Sequence, residues 1–489
     1  MTFHNLYFSS LPLRRFISHR TLKIDVLTAA SSIKARKFSS SQIAQASTTD
    51  TSCDLHIVHS PFPPISSGSS YPPMPEFVSQ DWNRQYLRSK VAVVDGTTGQ
   101  TRTFSDYDSA MRSIGASLQK DMNVGPSDTV ALFSPNHVDY VPIILGVGMT
   151  GARVTPVNPL YKEMELAAAL QQSQSKIIIA HERVLDVALK AISLLENSHV
   201  EHVVCIPETD DGETPQGTIN LKYLKGHPSP LKSTLSLIHH DTSVHPFIIP
   251  YSSGTTGLPK GVCLSHSNLV ANLRQTDEVE GIAFPSDARL ISPLPSFHIY
   301  GLVVSCLFSA RNGQQLITMS GRFDLEQFCQ LVEKHKPHRA HLVPPIILGL
   351  ARSPLVDKYD LSSLNMIVSA AAPLSSDLER EVKERIGCTV KQAWGMSELS
   401  PIGTFTSDYN IRSGSVGQLV SSTHGKIVDV DTGRSLGPGE NGELLIKVSL
   451  FNRDEQIQCY LYCGYTSLVS PWILSAIRTG STSDDGVPR

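Results

Sequence analysis

Short runs of β-branched residues recur along this chain, each followed by a segment long enough for a helix. Lys176–Ala180 (KIIIA), His202–Ile206 (HVVCI), Pro246–Pro250 (PFIIP), Arg289–Ser292 (RLIS), His341–Val343 and Asn365–Ser369 (NMIVS) are the strand candidates. Runs this apolar are what strands covered on both faces require, so the pattern predicts an α/β fold with parallel sheets. One helix is well marked: Ser376 stands as its cap with Glu379 at the capping-box position, Leu378, Val382 and Ile386 share a face, and Gly387 ends it. Another is predicted from about Asp324 to His335, with Leu325, Phe328 and Val332 inward and Pro337 just beyond. With 489 residues the chain has room for several cores, and no repeat of about 20–50 residues is visible.

Composition narrows the class. Apolar residues are 40%, charged residues 18% and aromatics 7%, which excludes a mainly disordered chain. The formal charge is −3, from 42 basic and 45 acidic residues, so the field that gathers nucleic acid is absent and a small-molecule partner is expected. The eight cysteines are scattered without a CxxC pair or zinc spacing, which points to free thiols in a reducing compartment. The apolar run Val141–Val147 is far below the roughly 20 residues of a membrane span, and no transmembrane helix is expected.

The first 49 residues differ from the rest. Arg14, Arg15, Arg20, Lys23, Lys34, Arg36 and Lys37 face a single acid, Asp25, and serines are frequent. That composition is the one of a mitochondrial transit peptide, with Arg36-Lys37-Phe38-Ser39 resembling a processing site; a disordered leader is the alternative. The chain ends Val487-Pro488-Arg489, which is no peroxisomal address, although cytoplasmic and peroxisomal locations stay open. Residues 50–75, including SPFPPISSGSSYPPMP at Ser60–Pro75, read as a structureless approach to a domain over residues 76–447.

The chemistry concentrates at Tyr251–Val262, YSSGTTGLPKGV, directly after the strand PFIIP. Ser252, Ser253, Gly254, Thr255, Thr256 and Gly257 form a hydroxyl- and glycine-rich loop whose N–H and O–H groups suit anionic oxygens, and Lys260 adds a compact cation. It is no Walker A loop, because a glycine follows the lysine where Ser or Thr is required.

This string resembles the phosphate-binding signature of the adenylate-forming superfamily, which includes acyl-CoA synthetases, luciferases and nonribosomal adenylation domains. Further segments resemble its motifs in the same order: Leu294–Gly301 (LPSFHIYG), Ser369–Leu374 (SAAAPL), Gln392–Glu398 (QAWGMSE), Gly414–Gly417 (GSVG) and Gly439–Leu444 (GENGEL). SPFPP…PEFV at Ser60–Val78 and the FHIYG segment are most similar to 4-coumarate–CoA ligase-like enzymes. The likeness runs from roughly Ile57 to Lys447. It implies a large N-terminal domain of two α/β sub-domains plus a distorted β-barrel near residues 400–447.

It also implies roles. The reaction would join a carboxylic acid to ATP as an acyl-adenylate, releasing pyrophosphate, and pass the acyl group to CoA. Thr255, Thr256 and the glycines would hold the leaving phosphates, Ala371, Ala372 and Pro373 run along the adenine with Gln392, Ala393, Trp394, Gly395 and Met396, and Ser397 meets the α-phosphate. Glu398, with Thr255, would ligate Mg2+. His298, Glu398 and Lys260 are the catalytic candidates; His298 and Tyr300, with Ala370 and Ala393, would border the acid, the two alanine methyls narrowing its slot.

The end departs from the family. Ser449–Arg489 has Arg478-Thr479-Gly480-Ser481 where an RTGD segment belongs, and neither hinge nor mobile lysine-bearing domain follows. Residues 448–489 read as a divergent tail in place of the C-terminal domain, with CoA use impaired; a non-catalytic ATP- or acyl-binding protein is the alternative function. The acid itself (hydroxycinnamate, medium-chain fatty acid or another aryl acid) is not specified by these motifs.

Overall fold

Two sheets, of seven and nine strands, absorb nearly all the β-branched runs in the computed structural model of this protein. The structure describes residues 56–65, 71–228, 230–231, 242–252, 260–280 and 287–448. The chain divides into the units Met1–His56 and Ile57–Arg489; the first is described only at His56, and the account below concerns the second. The predicted leader and the tail after Val448 lie outside the described residues.

In the seven-stranded sheet the order is Leu264–Ser265, Pro246–Ile248, Arg153–Val157, Thr129–Phe133, Ile177–His181, His202–Ile206 and Ile219–Asn220. All neighbours are parallel except the first pair. Every residue of the central strands Thr129–Phe133 and Ile177–His181 is buried, as unbroken apolar runs require. The helices Phe104–Lys120 and Tyr140–Met149 contribute to one core with them; the first starts at a capping box between Thr103 and Asp106.

The nine-stranded sheet runs Gln418–Leu419, Ile402–Phe405, Thr389–Gly395, Met366–Ser369, Arg339–Leu342, Arg289–Ser292, Gln315–Thr318, Val91–Asp95 and Thr101–Thr103. The six strands from Thr389–Gly395 to Val91–Asp95 are parallel, and the edge pairings are antiparallel. Near residues 400–447, where a distorted β-barrel is expected, the strands divide between the edge of this sheet, Ile402–Phe405 and Gln418–Leu419, and a three-stranded antiparallel sheet of Val58–His59, Thr423–Val428 and Glu443–Val448. Its core is Leu399, Leu419, Ile427, Leu436, Leu444 and Ile446.

Three local expectations are corrected. Ser375, not Ser376, caps the helix Ser376–Ile386, its hydroxyl accepting the Leu378 N–H at 3.3 Å, and Gly387 closes it with φ +71°. Glu379 completes no capping box; its side chain turns inward, as described below. The stretch from Ser60 to Pro75 is anchored rather than structureless at both ends: Ser60 donates to the Leu419 carbonyl at 2.9 Å, and Tyr71 and Met74 are buried. The helix Leu325–His335 follows the prediction, with Asp324 accepting the Gln327 N–H at 2.7 Å as its cap.

Candidate active site

The connectivity of the nine-stranded sheet marks one place before any side chain is considered. From Arg289–Ser292 the chain crosses to Gln315–Thr318 on one side, and its later strands Arg339–Leu342, Met366–Ser369 and Thr389–Gly395 build out on the other. The order therefore reverses between Arg289–Ser292 and Arg339–Leu342, and ligands of open parallel sheets bind beyond the carboxyl ends at such a reversal. Leu294–His298, Ala370–Pro373 and Met396–Glu398 all leave carboxyl ends of these neighbouring strands.

The Leu294–Gly301 segment is held from the other sub-domain. Asn136, just past the buried strand Thr129–Phe133, donates to the Leu294 and Met319 carbonyls at 2.9 and 3.0 Å and accepts the Ser296 N–H at 2.7 Å. The turn then enters a π-wound helix, Tyr300–Leu307. A Cβ on Gly301 would meet the Pro295 carbonyl oxygen at 2.3 Å, so the close passage of turn over helix demands glycine there. His298 keeps solvent-exposed surface yet is surrounded by protein dense enough to lower its pKa by desolvation. Its Nδ1 accepts the Tyr300 N–H at 3.4 Å, which assigns the proton of the neutral ring to Nε2.

Tyr300 is buried. Its hydroxyl donates to the Val368 carbonyl at 3.0 Å, its ring stacks on His341 at 6.1 Å, and burial pushes its phenol pKa well up. Tyr300, Val368, Ala393 and Ile402 form one apolar cluster against which Ala370 packs, so the residues assigned to the acid slot are neighbours. Tyr300 is a wall whose one hydroxyl proton is spent on the fold.

The arc Ala371–Pro373 is exposed, and Ala371 holds φ +69°, a left-handed backbone rare outside glycine. Gln392, expected among the ATP contacts, is buried: its amide N donates to the Leu374 carbonyl at 3.0 Å and to Glu379 at 2.6 Å. Its carbonyl accepts the Leu374 N–H at 3.3 Å. Both N–H bonds are spent on the fold. Trp394 is half-buried against the small-sheet core together with Met396, and Gly395 is exposed.

Ser397 and Glu398 lie on a single helical turn, Ser397–Leu399. Among the described residues neither the Ser397 hydroxyl nor the half-buried Glu398 carboxylate has a hydrogen-bond partner in the fold around it. Of the phosphate loop, Ser252 and Lys260 face each other across a two-stranded hairpin, Tyr251–Ser252 with Lys260–Gly261. Ser253, Gly254, Thr255, Thr256 and Gly257 lie outside the described residues. The helix that follows the hairpin, His266–Glu280, ties it to the Glu398 side: Asn272 donates to the Ile402 carbonyl at 2.9 Å and accepts its N–H at 3.1 Å.

Comparison with known proteins decides the family. The family described as AMP-binding enzyme matches residues 79–450. This chain belongs to that family. The AMP-binding chain is 33% identical over 373 residues to 4-coumarate–CoA ligase 1 of Arabidopsis thaliana, covering 75% of this chain and 65% of that protein. It is 34% identical over 382 residues to the probable 4-coumarate–CoA ligase 3 of Dictyostelium discoideum, covering 74% and 67%. It therefore spans about two thirds of the length of these relatives. Among solved structures, the anthranilate CoA ligase AuaEII in complex with anthranoyl-AMP superposes with a TM-score of 0.68 at 24% identity, over 78% of this chain and 70% of that one. The N-terminal domain of FACL13 from Mycobacterium tuberculosis gives 0.65 at 22% identity, over 79% and 92%. At these identities the structures establish the adenylate-forming fold alone.

Sequence reasoning missed Asn136 in this AMP-binding fold and took Glu379 for a capping residue. Asn136 has a local signal: a polar residue in the short turn Ser134-Pro135-Asn136 after a buried, mostly apolar strand, at the carboxyl edge where loops carry function. Lys391 was also passed over. It is buried beside Gln392, bonded to Asp408 at 2.6 Å and Glu280 at 2.9 Å, while Arg339 bonds the same two carboxylates. Among the described residues no helix is long and apolar enough to cross a membrane.

Proposed function

We propose that this chain activates a carboxylic acid with ATP and transfers the acyl group to CoA. In the first step a carboxylate oxygen attacks the α-phosphorus, the bond to the β-phosphate oxygen breaks, and pyrophosphate leaves. In the second the CoA thiolate attacks the acyl carbon and AMP leaves. The observation that carries the reading is His298, a solvent-accessible neutral Nε2–H donor just past the carboxyl end of a strand at the sheet reversal. A donor without charge holds a carboxylate oxygen without quenching its nucleophilicity. The names of the relatives, 4-coumarate–CoA ligases, support the acid–CoA class and an aryl acid within it.

The remaining roles follow from chemistry. Ser397 would bond the α-phosphate, and Thr255, Thr256, the loop N–H groups and Lys260 the departing phosphates, where preorganised donors stabilise developing charge. Glu398 fits a Mg2+ ligand: it is half-buried, it has no ion pair among the described residues, and magnesium is usually bound through one or two carboxylates plus phosphate oxygens. Bound there, Mg2+ supplies positive charge to the leaving pyrophosphate. The exposed arc Ala371–Pro373, with Trp394, would border the adenine, and Tyr300, Ala370 and Ala393 the acid.

Isotope exchange between pyrophosphate and ATP tests the reading. Exchange that depends on an added aryl or fatty acid is expected. ATP binding without exchange for any acid of such a panel would leave a nucleotide-binding protein and remove the enzyme. For location we propose mitochondria, on the basic, acid-poor composition of residues 1–49; a fluorescent fusion of those residues that stays diffuse in the cytosol would refute it.

A further inference from the structure

Glu379 is a buried carboxylate in an unexpected setting. It sits one turn into the helix Ser376–Ile386, only 6% exposed, and points inward. One oxygen accepts from the Gln392 amide at 2.6 Å. The other accepts the Gly414 N–H at 2.9 Å and the Ser413 hydroxyl. No arginine, lysine or histidine pairs with it in the ion pairs of the described residues. A buried anion satisfied by neutral, directional donors alone adds little net attraction but fixes geometry strongly.

What it fixes are two exposed arcs distant in sequence. Through Gln392 it holds both backbone groups of Leu374, the residue that ends the arc Ala371–Pro373. Directly it holds the turn Ser413–Gly414, where Gly414 has φ +75°. We propose that Glu379 is a positioning residue for the adenosine half of the bound nucleotide, an assignment that rests on the ATP reading above. The described residues of the phosphate hairpin, Tyr251–Ser252 and Lys260–Gly261, receive none of these bonds. Glu379 therefore acts on one half of ATP and not on the other.

The carboxylate is specifically required. Its two oxygens offer about four acceptor positions to three converging donors. In Glu379→Gln one oxygen becomes an NH2 that must face either the Gln392 amide or the Ser413–Gly414 pair, donor against donor. One arc is released in each case.

The experiment is calorimetric titration of the full chain and of Glu379→Gln with MgATP and, separately, with inorganic tripolyphosphate. The ATP Kd is expected to rise about tenfold in the variant, the scale of one lost buried hydrogen bond, with tripolyphosphate changed less than about twofold. Equal weakening of both ligands would mean a general structural role and overturn the assignment. So would an unchanged ATP Kd in a folded variant. If Glu379→Gln fails to fold, Ser413→Ala decides: it removes one donor from an exposed turn and should weaken ATP about threefold with tripolyphosphate unchanged. No selective loss there is equally fatal. An unsubstituted chain that binds tripolyphosphate but not ATP would instead bring down the ATP reading itself.

Discussion

Asn136 accepts the backbone N–H of Ser296 at 2.7 Å, joining the end of one sheet to the turn that leads into His298 on the other. The same side chain donates to the carbonyls of Leu294 and Met319. Asn136→Ala strands the Ser296 N–H and both carbonyls in a buried setting, where one unsatisfied group costs about 1–3 kcal/mol. A lowered thermal midpoint, with about 3 kcal/mol lost and acid-dependent exchange reduced at least tenfold in the folded fraction, is expected. Asn136→Asp keeps the Ser296 bond but sets a carboxylate oxygen against two carbonyls, so it should do no better. Wild-type melting and exchange in the alanine variant would contradict the bridge.

The metal role of Glu398 separates from stability. Because Glu398 has no hydrogen bond or ion pair among the described residues, Glu398→Gln should leave the melting midpoint of the nucleotide-free protein within about a degree or two. Mg2+-dependent exchange should fall by about 10²–10³, the usual cost of one transition-state charge partner. The pair of measurements is the check: an unchanged exchange rate removes the assignment.

Two buried histidines make the fold acid-sensitive. Burial lowers the pKa of His266 to about 3, with His245 adding to it, and that of His341 likewise to about 3, with Arg339 and Lys391 adding. Both folded values lie below the ordinary value of about 6.5, so the unfolded chain takes up protons first as pH falls. Their contribution is complete above about pH 6.5 and is lost progressively toward pH 3. The slope is at most about 1.4 kcal/mol per pH unit for each histidine, or about 2 kcal/mol apiece by pH 5. His266→Gln, whose amide oxygen can accept the Met74 N–H now bonded to Nδ1 at 3.1 Å, should flatten that slope. Denaturation midpoints constant from pH 7 to pH 5 would refute the argument.

The strands and motifs were legible because their information is local. A run such as HVVCI suits only a buried strand, and His202–Ile206 has the predicted bounds. The motif segments were readable because each is contiguous in sequence. Glu379 was misread because Ser376 and Glu379 satisfy a local capping rule, while the donors that turn the side chain inward come from Ser413 and Gly414, more than 30 residues on. The anchor of Tyr300 was illegible for a similar reason: nothing nearby announces that Val368 takes its hydroxyl. Positions whose partners are remote carry no periodic or motif signal, and the site's supporting bonds are mostly of that kind.

The buried charge group beside the site gives the last test. Lys391, 1% exposed, lies 4.6 Å from the Phe405 ring centroid and bonds Glu280 and Asp408, while Arg339 bonds the same pair. Two cations and two carboxylates leave the cluster neutral. Lys391→Met fits the volume but strands one negative charge, and breaking a buried pair from one side costs about 3–5 kcal/mol. Adding Asp408→Asn restores the balance of charge and should recover more than half of that loss, whereas two independent effects would simply add. Because Gln392 and Trp394 stand on the same strand, the single variant should also weaken nucleotide binding, and the double variant should restore it. A double variant less stable than Lys391→Met alone would show that hydrogen-bond geometry, not charge balance, governs this cluster.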